Sequence, residues 1–190
     1  MCAVSRTPRA TSTGLVTASY DTFVYQLDGS ASGAPPTTAR QWKYATLTDT
    51  WVSIKAIPST RAGGASGVAT VGTKMYVLDG PTAAGNKKNE AYDTTTDTWA
   101  SKASTPTDHS KGAVGVKGNK IYVAGGGPAT NKLEIYDAAT DSWVSGTALT
   151  RPWYGTGRPW YGTGRPWYGT GPSLPTFQAA LMRCCGTCPF

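Results

Sequence analysis

Residues 151–171 consist of three identical copies of the heptad RPWYGTG and hold the densest set of chemically active side chains. Each copy brings one guanidinium and two aromatic rings, which can stack on bases and contact phosphates as an RNA-binding arm. In an extended Pro/Gly-rich segment the same rings could dock on another subunit or on a sugar. Perfect identity favours a third interpretation, a duplication of the DNA, because old repeats drift. The candidate binding residues are Arg151, Trp153, Tyr154, Arg158, Trp160, Tyr161, Arg165, Trp167 and Tyr168.

The cysteines are the next residues whose spacing suggests chemistry. Cys185 and Cys188 have the C-x-x-C spacing of zinc and redox sites, and Cys2 could add a thiolate if the termini met. The CCGTCPF segment has no adjacent second knuckle, which favours a tail with reactive thiols. We predict no metal and no cofactor, and keep Cys184, Cys185 and Cys188 as weak metal-ligand candidates.

Groups for catalysis are scarce. His109 is the one histidine, so a nucleophilic triad or a metal site with several imidazoles is hard to build from this chain. The 11 acidic residues lie mostly in predicted turns, and no spacing selects two of them as a glycosidase pair. We therefore predict that the chain is not an enzyme.

Composition indicates a β-rich protein the size of one domain, or one domain with a tail. Charged residues are 15% of the 190, against ~25% in an average domain, and 23 residues are glycine. Residues 151–190 hold four arginines and no acid, which accounts for most of the net charge of +7. No run of ~18 apolar residues and no apolar signal region is present, so we predict no membrane span and leave the compartment unassigned, cytoplasmic or secreted.

Two landmarks recur three times along the chain. DTFVYQLDG (21–29), TKMYVLDG (73–80) and NKIYVAGG (119–126) are alike, and each precedes YATLTDTW, YDTTTDTW or YDAATDSW, in which a Trp follows a Tyr by seven residues. The three tryptophans lie 48 and 44 residues apart, a period typical of a unit of roughly four strands. Gly72 and Gly118 fall in two-residue connections, where a positive φ permits a tight hairpin. The pattern predicts four-stranded antiparallel meanders whose loop between strands two and three varies in length.

Together these features resemble the kelch repeat, the blade unit of one family of β-propellers, over roughly residues 10–150. The resemblance rests on paired glycines after a strand, on a Tyr-Asp pair that begins the third strand, and on the Trp that follows. These residues are Gly125-Gly126, Tyr92-Asp93, Tyr136-Asp137, Trp99 and Trp143. The first repeat departs from the pattern with Ala45 in place of Asp, and two repeats have Asp-Gly, at Asp28 and Asp79, in place of two glycines.

The resemblance implies an all-β fold, a partial three-bladed kelch-type β-propeller of four-stranded antiparallel blades, followed by an irregular or disordered C-terminal tail. The implied divisions are an N-terminal arm (1–10), three blades (11–58, 59–106 and 107–150) and the tail (151–190). One large aromatic per blade would fill the space between sheets, and glycines suit crowded strands. The blade residues are Tyr44, Trp51, Tyr92, Trp99, Tyr136, Trp143, Gly125 and Gly126. Asp28 and Asp79 could face a central channel or form hydrogen bonds in turns.

The function implied is a non-catalytic protein-interaction module or scaffold that binds a protein through its variable loops and blade-top turns. TRPWYGTG resembles the opening of a fourth blade, but no hairpin follows it. Three blades are too few to close a propeller, which typically has four to eight, so we expect a fragment or one half of a six-bladed homodimer. The alternative is a carbohydrate-binding or sugar-processing propeller, favoured by low charge and abundant Thr, Gly and Ala; nucleic acid, through the arginine and aromatic tail, is the least favoured partner.

Overall fold

The computed structural model describes residues 12–13, 16–27, 30–31, 41–59, 67–79, 87–127, 129–154 and 158–159. Within these residues every regular element is a strand, and no helix is long and apolar enough to cross a membrane. The strands are β1 (Ser12–Thr13), β2 (Val16–Tyr20), β3 (Phe23–Leu27), β4 (Ser30–Ala31), β5 (Gln41–Ala45), β6 (Thr50–Ile54), β7 (Gly67–Val71), β8 (Lys74–Leu78), β9 (Asn89–Asp93), β10 (Thr98–Lys102), β11 (Ala113–Lys117), β12 (Lys120–Ala124), β13 (Leu133–Asp137), β14 (Ser142–Ser145), β15 (Trp153–Tyr154) and β16 (Arg158–Pro159).

Twelve of the strands form three antiparallel sheets of four strands each. Sheet 1 has the order β2-β3-β5-β6, sheet 2 β7-β8-β9-β10 and sheet 3 β11-β12-β13-β14. Strands that follow one another along the chain are therefore neighbours in each sheet. The prediction of an all-β fold with three four-stranded antiparallel meanders is confirmed.

The hairpins form where the sequence supplies a residue that accepts a positive φ. Gly72 and Gly118 have φ values of 57° and 59°, and Asp21 takes the same place in sheet 1 with 53°. Aspartate tolerates this left-handed conformation better than most side chains, because its short polar group bonds locally. The tight connections fix the register, which pairs Tyr20 with Phe23 and Val71 with Lys74.

The three sheets stack in a blade-like arrangement in which β7 lies beside both β2 and β11. Alternate side chains of β8 serve two cores: Met75 and Val77 face sheet 1, and Tyr76 and Leu78 face sheet 3. All four are at most 2% exposed. Strands covered on both faces can be apolar throughout, which explains the continuous apolar run of β8. Sheet 2 is thus buried between its two neighbours.

Two short ladders accompany the sheets. β1 pairs with β4, and β15 pairs with β16, so that Tyr154 lies opposite Arg158. Within the part of the chain that the structure describes, the first RPWYGTG copy, predicted to open a fourth blade, pairs with the start of the second copy in this two-residue ladder, and its Trp153 also forms a bridge with Thr130. The predicted N-terminal arm, residues 1–10, and the tail beyond residue 159 lie outside the described residues.

Candidate functional site

Each sheet carries one Tyr, one Asp and one Trp that act together, and we call this set a clamp. The Tyr lies on the third strand, the Asp follows it by five residues and the Trp by seven. The Tyr hydroxyl donates to the Asp Oδ1 at 2.7, 2.8 and 2.6 Å in sheets 1, 2 and 3, and the Tyr and Trp ring centroids lie 5.2, 5.2 and 5.1 Å apart. The clamps are Tyr44-Asp49-Trp51, Tyr92-Asp97-Trp99 and Tyr136-Asp141-Trp143.

The second and third clamps hold the backbone of the sheet that precedes them. Trp99 Nε1 donates to the carbonyl of Lys55 at 2.8 Å, and the amide of Lys55 donates to Asp97 Oδ1 at 2.9 Å. The third clamp holds Ala103 in the same way, with distances of 2.7 and 2.9 Å. A hydrogen bond of this kind contributes about 1 kcal/mol, and about 1.5–3 kcal/mol when one partner is charged. Each clamp therefore joins two consecutive sheets.

The protonation of the clamp matches these donor and acceptor roles. Burial raises the pKa of Tyr136, and its hydrogen bond to Asp141 raises it further. Burial alone would raise the pKa of Asp141, but the bonds from Tyr136 and the Ala103 amide, together with Lys102, lower it overall. The hydroxyl therefore remains a donor and the carboxylate an acceptor across the neutral pH range.

Tyrosine rings from consecutive sheets also meet at each junction. Tyr25 and Tyr92 have centroids 6.0 Å apart, and Tyr76 and Tyr136 have centroids 5.5 Å apart, with tilted planes in both pairs. All four side chains are at most 2% exposed. Tilted aromatic pairs add about 0.5–1.5 kcal/mol beyond the area that they bury. The predicted blade residues Tyr92 and Tyr136 thus lie in the junctions, where no ligand reaches them.

A buried glutamate on the third strand binds the segment that arrives from the preceding sheet. Glu90 accepts a hydrogen bond from the hydroxyl of Ser59, and Glu134 accepts from Thr107 Oγ1 at 2.7 Å and from the Thr107 amide at 3.1 Å. The two glutamates are 4% and 2% exposed. Burial would raise the pKa of Glu134, but the bonds from Thr107 and His109 lower it overall.

His109 is fully buried beside Glu134. Its Nε2 lies 2.9 Å from Glu134 Oε2, and its Nδ1 lies 2.5 Å from the carbonyl oxygen of Gly125. A carboxylate and a carbonyl are both acceptors, so each ring nitrogen faces an acceptor oxygen. With both nitrogens occupied and no exposed surface, the ring ties the start of sheet 3 to its own second and third strands.

Asp79 is the third buried acid at this end of the sheets, after Glu90 and Glu134. It has φ 49°, is 0% exposed and accepts a hydrogen bond from Thr105 Oγ1 at 2.5 Å. Burial raises its pKa to about 7, against the lowering effect of the Thr105 hydroxyl and of His109. Its carboxyl is therefore bonded inside the protein. Asp28, its counterpart in sheet 1, lies outside the described residues.

The polar groups of these junctions are placed to hold the sheets together rather than to act on a ligand. Glu90, Glu134 and His109 bind other parts of the chain, and in the part of the chain that the structure describes no group of three or more His, Cys, Asp and Glu side chains could hold a metal ion. Charged side chains that face solvent lie at the ends of β3, β8 and β12. The loops between second and third strands and the connections between sheets run at this end. We call this end the loop edge.

The loop edge is rich in exposed cations. Two lysines bind consecutive residues of one connection: Lys87 Nζ donates to the carbonyl of Pro106 at 2.8 Å, and Lys132 Nζ to Thr107 Oγ1 at 3.0 Å. The exposed cations of the loop edge are Lys87, Lys88, Lys111, Lys132 and Arg151.

The structure describes only some of the candidate residues of the heptads. Trp153 lies on the loop of sheet 3: its amide donates to Thr130 at 3.0 Å, and its carbonyl accepts from Gly126 at 2.8 Å. Gly125 and Gly126 have φ values of 67° and 103°, and a Cβ on Gly126 would lie 2.6 Å from the backbone of His109. The candidates outside the described residues are Trp160, Tyr161, Arg165, Trp167, Tyr168, Cys184, Cys185 and Cys188.

Sequence reasoning did not identify the carboxylates that join the sheets. Glu90 and Glu134 both lie two residues before the third-strand Tyr, and their partners Ser59 and Thr107 both lie eight residues after a Trp. This repeated pairing of an acid with a hydroxyl residue is the signal that could have found them. No protein-family model matches the chain, and no curated protein matches its sequence.

Proposed function

We propose that the chain is a non-catalytic protein-interaction module of the kelch type, and that its loop edge binds an acidic segment of a protein partner. The observation that supports this most directly is a separation of charge. At the loop edge the described cations are exposed, whereas Asp79, Glu90 and Glu134 are at most 4% exposed and bonded internally, and Asp108 is half-buried and accepts a hydrogen bond from the Ser110 amide.

The opposite end of the sheets lacks this imbalance. There Lys74 Nζ lies 3.0 Å from Asp93 Oδ2, and Lys120 Nζ lies 3.1 Å from Asp137 Oδ2. Hydrogen bonds from Thr95 and Lys74 lower the pKa of Asp93 to about 2, so its charge persists. Beyond these two ion pairs that end carries further exposed aspartates in its turns, so the excess of positive charge among the described residues lies at the loop edge.

The position of the loop edge also favours binding. Its loops connect strands held rigidly by the clamps, and a rigid scaffold that carries variable loops is a common arrangement for recognition. Lys87 and Lys132 are each held by one bond to the Pro106–Thr107 segment, so both keep further donors for a carboxylate.

The test uses the full chain and three fluorescent probes: a polyglutamate peptide, a polylysine peptide and oligo(U) RNA. We expect the polyglutamate peptide to bind, binding to weaken as salt rises, and Lys87→Glu with Lys132→Glu to weaken it about tenfold or more. Lys117→Glu with Lys120→Glu makes the same charge change at the opposite end, where both lysines are exposed, and should have little effect. Absence of polyglutamate binding, equal loss in the control, or tighter binding of RNA would each contradict the proposal.

A further inference from the structure

We propose that two copies of this chain bind head to tail, so that sheet 1 of each copy packs on sheet 3 of the other and six sheets close into one ring. Apart from Arg151, this surface is separate from the loop edge, and the inference does not depend on the proposed function. The leading face of sheet 1 is formed by Val24, Gln26, Trp42, Tyr44 and Trp51. The trailing face of sheet 3 is formed by Tyr122, Leu133, Ile135 and Val144, together with Ala124, which is already 2% exposed within the chain.

These two faces are the two halves of a junction that the chain already makes twice. At the junction between sheets 2 and 3, sheet 2 presents Tyr76 and Leu78 and sheet 3 presents Ile121 and Tyr136. By register, Tyr122 is the counterpart of Tyr76, and Tyr44 is the counterpart of Tyr136. Bringing sheet 3 against sheet 1 of a second copy therefore restores the same ring pair, Tyr122 against Tyr44.

The exposed fractions of side chains at equivalent positions show that the leading face of sheet 1 and the trailing face of sheet 3 are uncovered. Val24 is 37% exposed, whereas its counterparts Met75 and Ile121 are 0% exposed. Tyr44 and Tyr122 are half-buried in the same way, while the matching tyrosines of the internal junctions are at most 2% exposed. The difference lies in the neighbour, because the residue types and the register are alike.

The first clamp is complete but has no preceding sheet within the described residues. Tyr44 donates to Asp49 at 2.7 Å, as in the other clamps, and Asp49 has the same left-handed φ of 51°. The backbone residue held by a clamp lies four positions after the Trp of the preceding sheet, as Lys55 and Ala103 do. In sheet 3 that position is Thr147. Asp49 and Trp51 of one copy therefore match the amide and carbonyl of Thr147 in the other.

The open junction differs from the two internal junctions at one pair of facing positions, and both residues of that pair are replaced. Sheets 2 and 3 use Glu90 and Glu134 to bind a hydroxyl eight residues after the Trp of the preceding sheet. At the open junction Trp42 stands in place of the glutamate, and the residue eight after Trp143 is the exposed Arg151. A guanidinium over an indole face is a favourable contact. Arg151 and Trp42 are therefore complementary at this junction.

A second copy fits because one chain carries both halves. Contacts between unlike faces build either closed rings or open filaments, and a ring closes only if the rotation per copy divides a full turn. Two copies supply six sheets, within the four to eight typical of propellers. Each copy would use both faces, and no apolar sheet face would remain in water.

The first test measures the mass of the full chain by light scattering and sedimentation at micromolar concentration. We expect twice the 19.9 kDa of one chain. Val24→Glu should weaken the dimer at least about 100-fold, because it places a charge against an apolar face. Leu47→Glu is the matched control, since Leu47 is 81% exposed and its counterparts Thr95 and Ala139 stay exposed beside a covering sheet.

The second test asks whether the two faces bind each other. Val24→Glu blocks the leading face and Ile135→Glu blocks the trailing face, so each variant alone should be a folded monomer by circular dichroism. A mixture of the two should recover a dimer through the one intact pair of faces. A folded wild-type monomer, a filament, failure of the mixture to associate, or a dimer that survives both substitutions would overturn the proposal. A monomer whose faces are protected from hydrogen exchange by another segment of the chain would overturn it as well.

Discussion

Asp97 and Asp141 show how one side chain can fix its own turn and also the sheet before it. Each accepts a tyrosine hydroxyl from its own sheet and a backbone amide from the preceding one. The spacing of Tyr and Trp predicts aromatics between sheets, but it does not reveal the second role of the Asp. The residues that are held, Lys55 and Ala103, carry no motif, because only their backbone is used.

The indole donor of the third clamp should be measurable on its own. Trp143→Phe keeps an aromatic ring but removes the bond from Nε1 to the carbonyl of Ala103. We expect the free energy of unfolding to fall by about 1 kcal/mol or more in urea titrations. The matched control is Trp51→Phe at a concentration at which the chain is monomeric, where the expected loss is smaller. Equal losses in the two variants would show that the bond to Ala103 contributes nothing specific.

Asp79 should make stability depend on pH in the direction opposite to most carboxylates. Burial raises its pKa in the folded state from 3.8 to about 7. The folded state therefore holds the proton more tightly than the unfolded state, and this stability is present below about pH 4 and lost as the pH rises through 7. Asp79→Asn keeps the side chain neutral and should stabilise the protein at pH 8, by up to about 4 kcal/mol, with little effect near pH 4.

Thermal unfolding at the two pH values tests this, with Asp21→Asn as control. Asp21 is exposed and also has a positive φ of 53°, so the substitution makes the same chemical change without burial. We expect the control to shift the melting temperature equally at pH 4 and pH 8. An Asp79→Asn variant that behaves like the control would show that burial does not raise the pKa of this carboxyl.

At the scale of elements, local chemistry predicts the hairpins, and packing decides which strands approach closely. Gly72 and Gly118 were predicted from their place in two-residue connections, and both have positive φ. Gly67 carries no such signal, since it is an ordinary strand residue of β7. Its importance depends on β11, where the side chain of Val114 lies so close that a Cβ on Gly67 would be 2.6 Å from Val114 Cγ2.

A double-mutant cycle can separate this close approach from other effects of a glycine. Gly67→Ala should destabilise the protein by about 1–3 kcal/mol, because overpacking displaces β7 from β11. Val114→Ala should relieve the clash, so that the double variant is more stable than the sum of the two single losses predicts. Gly72→Ala is the contrast, since no atom lies within 4 Å of its Cβ position and Val114→Ala cannot relieve its backbone strain. Strict additivity for Gly67 and Val114 would contradict the packing argument.

For the whole molecule, the repeat period was sufficient to predict three four-stranded sheets. Each repeat holds its own strands and turns, so the necessary signals lie within about 45 residues of one another. The contacts between repeats are different, because the bonds from Trp99 to Lys55 and from Trp143 to Ala103 join residues 44 and 40 positions apart through the stacking of the sheets. Neither spacing nor composition predicts such pairs until the stacking is known. Stacking also decides which repeats are covered, and it leaves sheet 2 as the one described sheet with both faces packed.

The difference in packing between sheet 2 and the other two sheets should appear in the rates of amide hydrogen exchange. In repeat-like proteins each unit is stabilised mainly by its nearest neighbours, so the central unit opens last. We expect the amides of β8 and β9 to exchange more slowly than those of β3 and β12 in dilute monomer. As the chain associates, β3 and β12 should gain protection, because the open faces of sheets 1 and 3 become internal junctions. The Val24→Glu variant should keep the unequal pattern at every concentration, and uniform protection in the dilute monomer would contradict an open ring of three sheets.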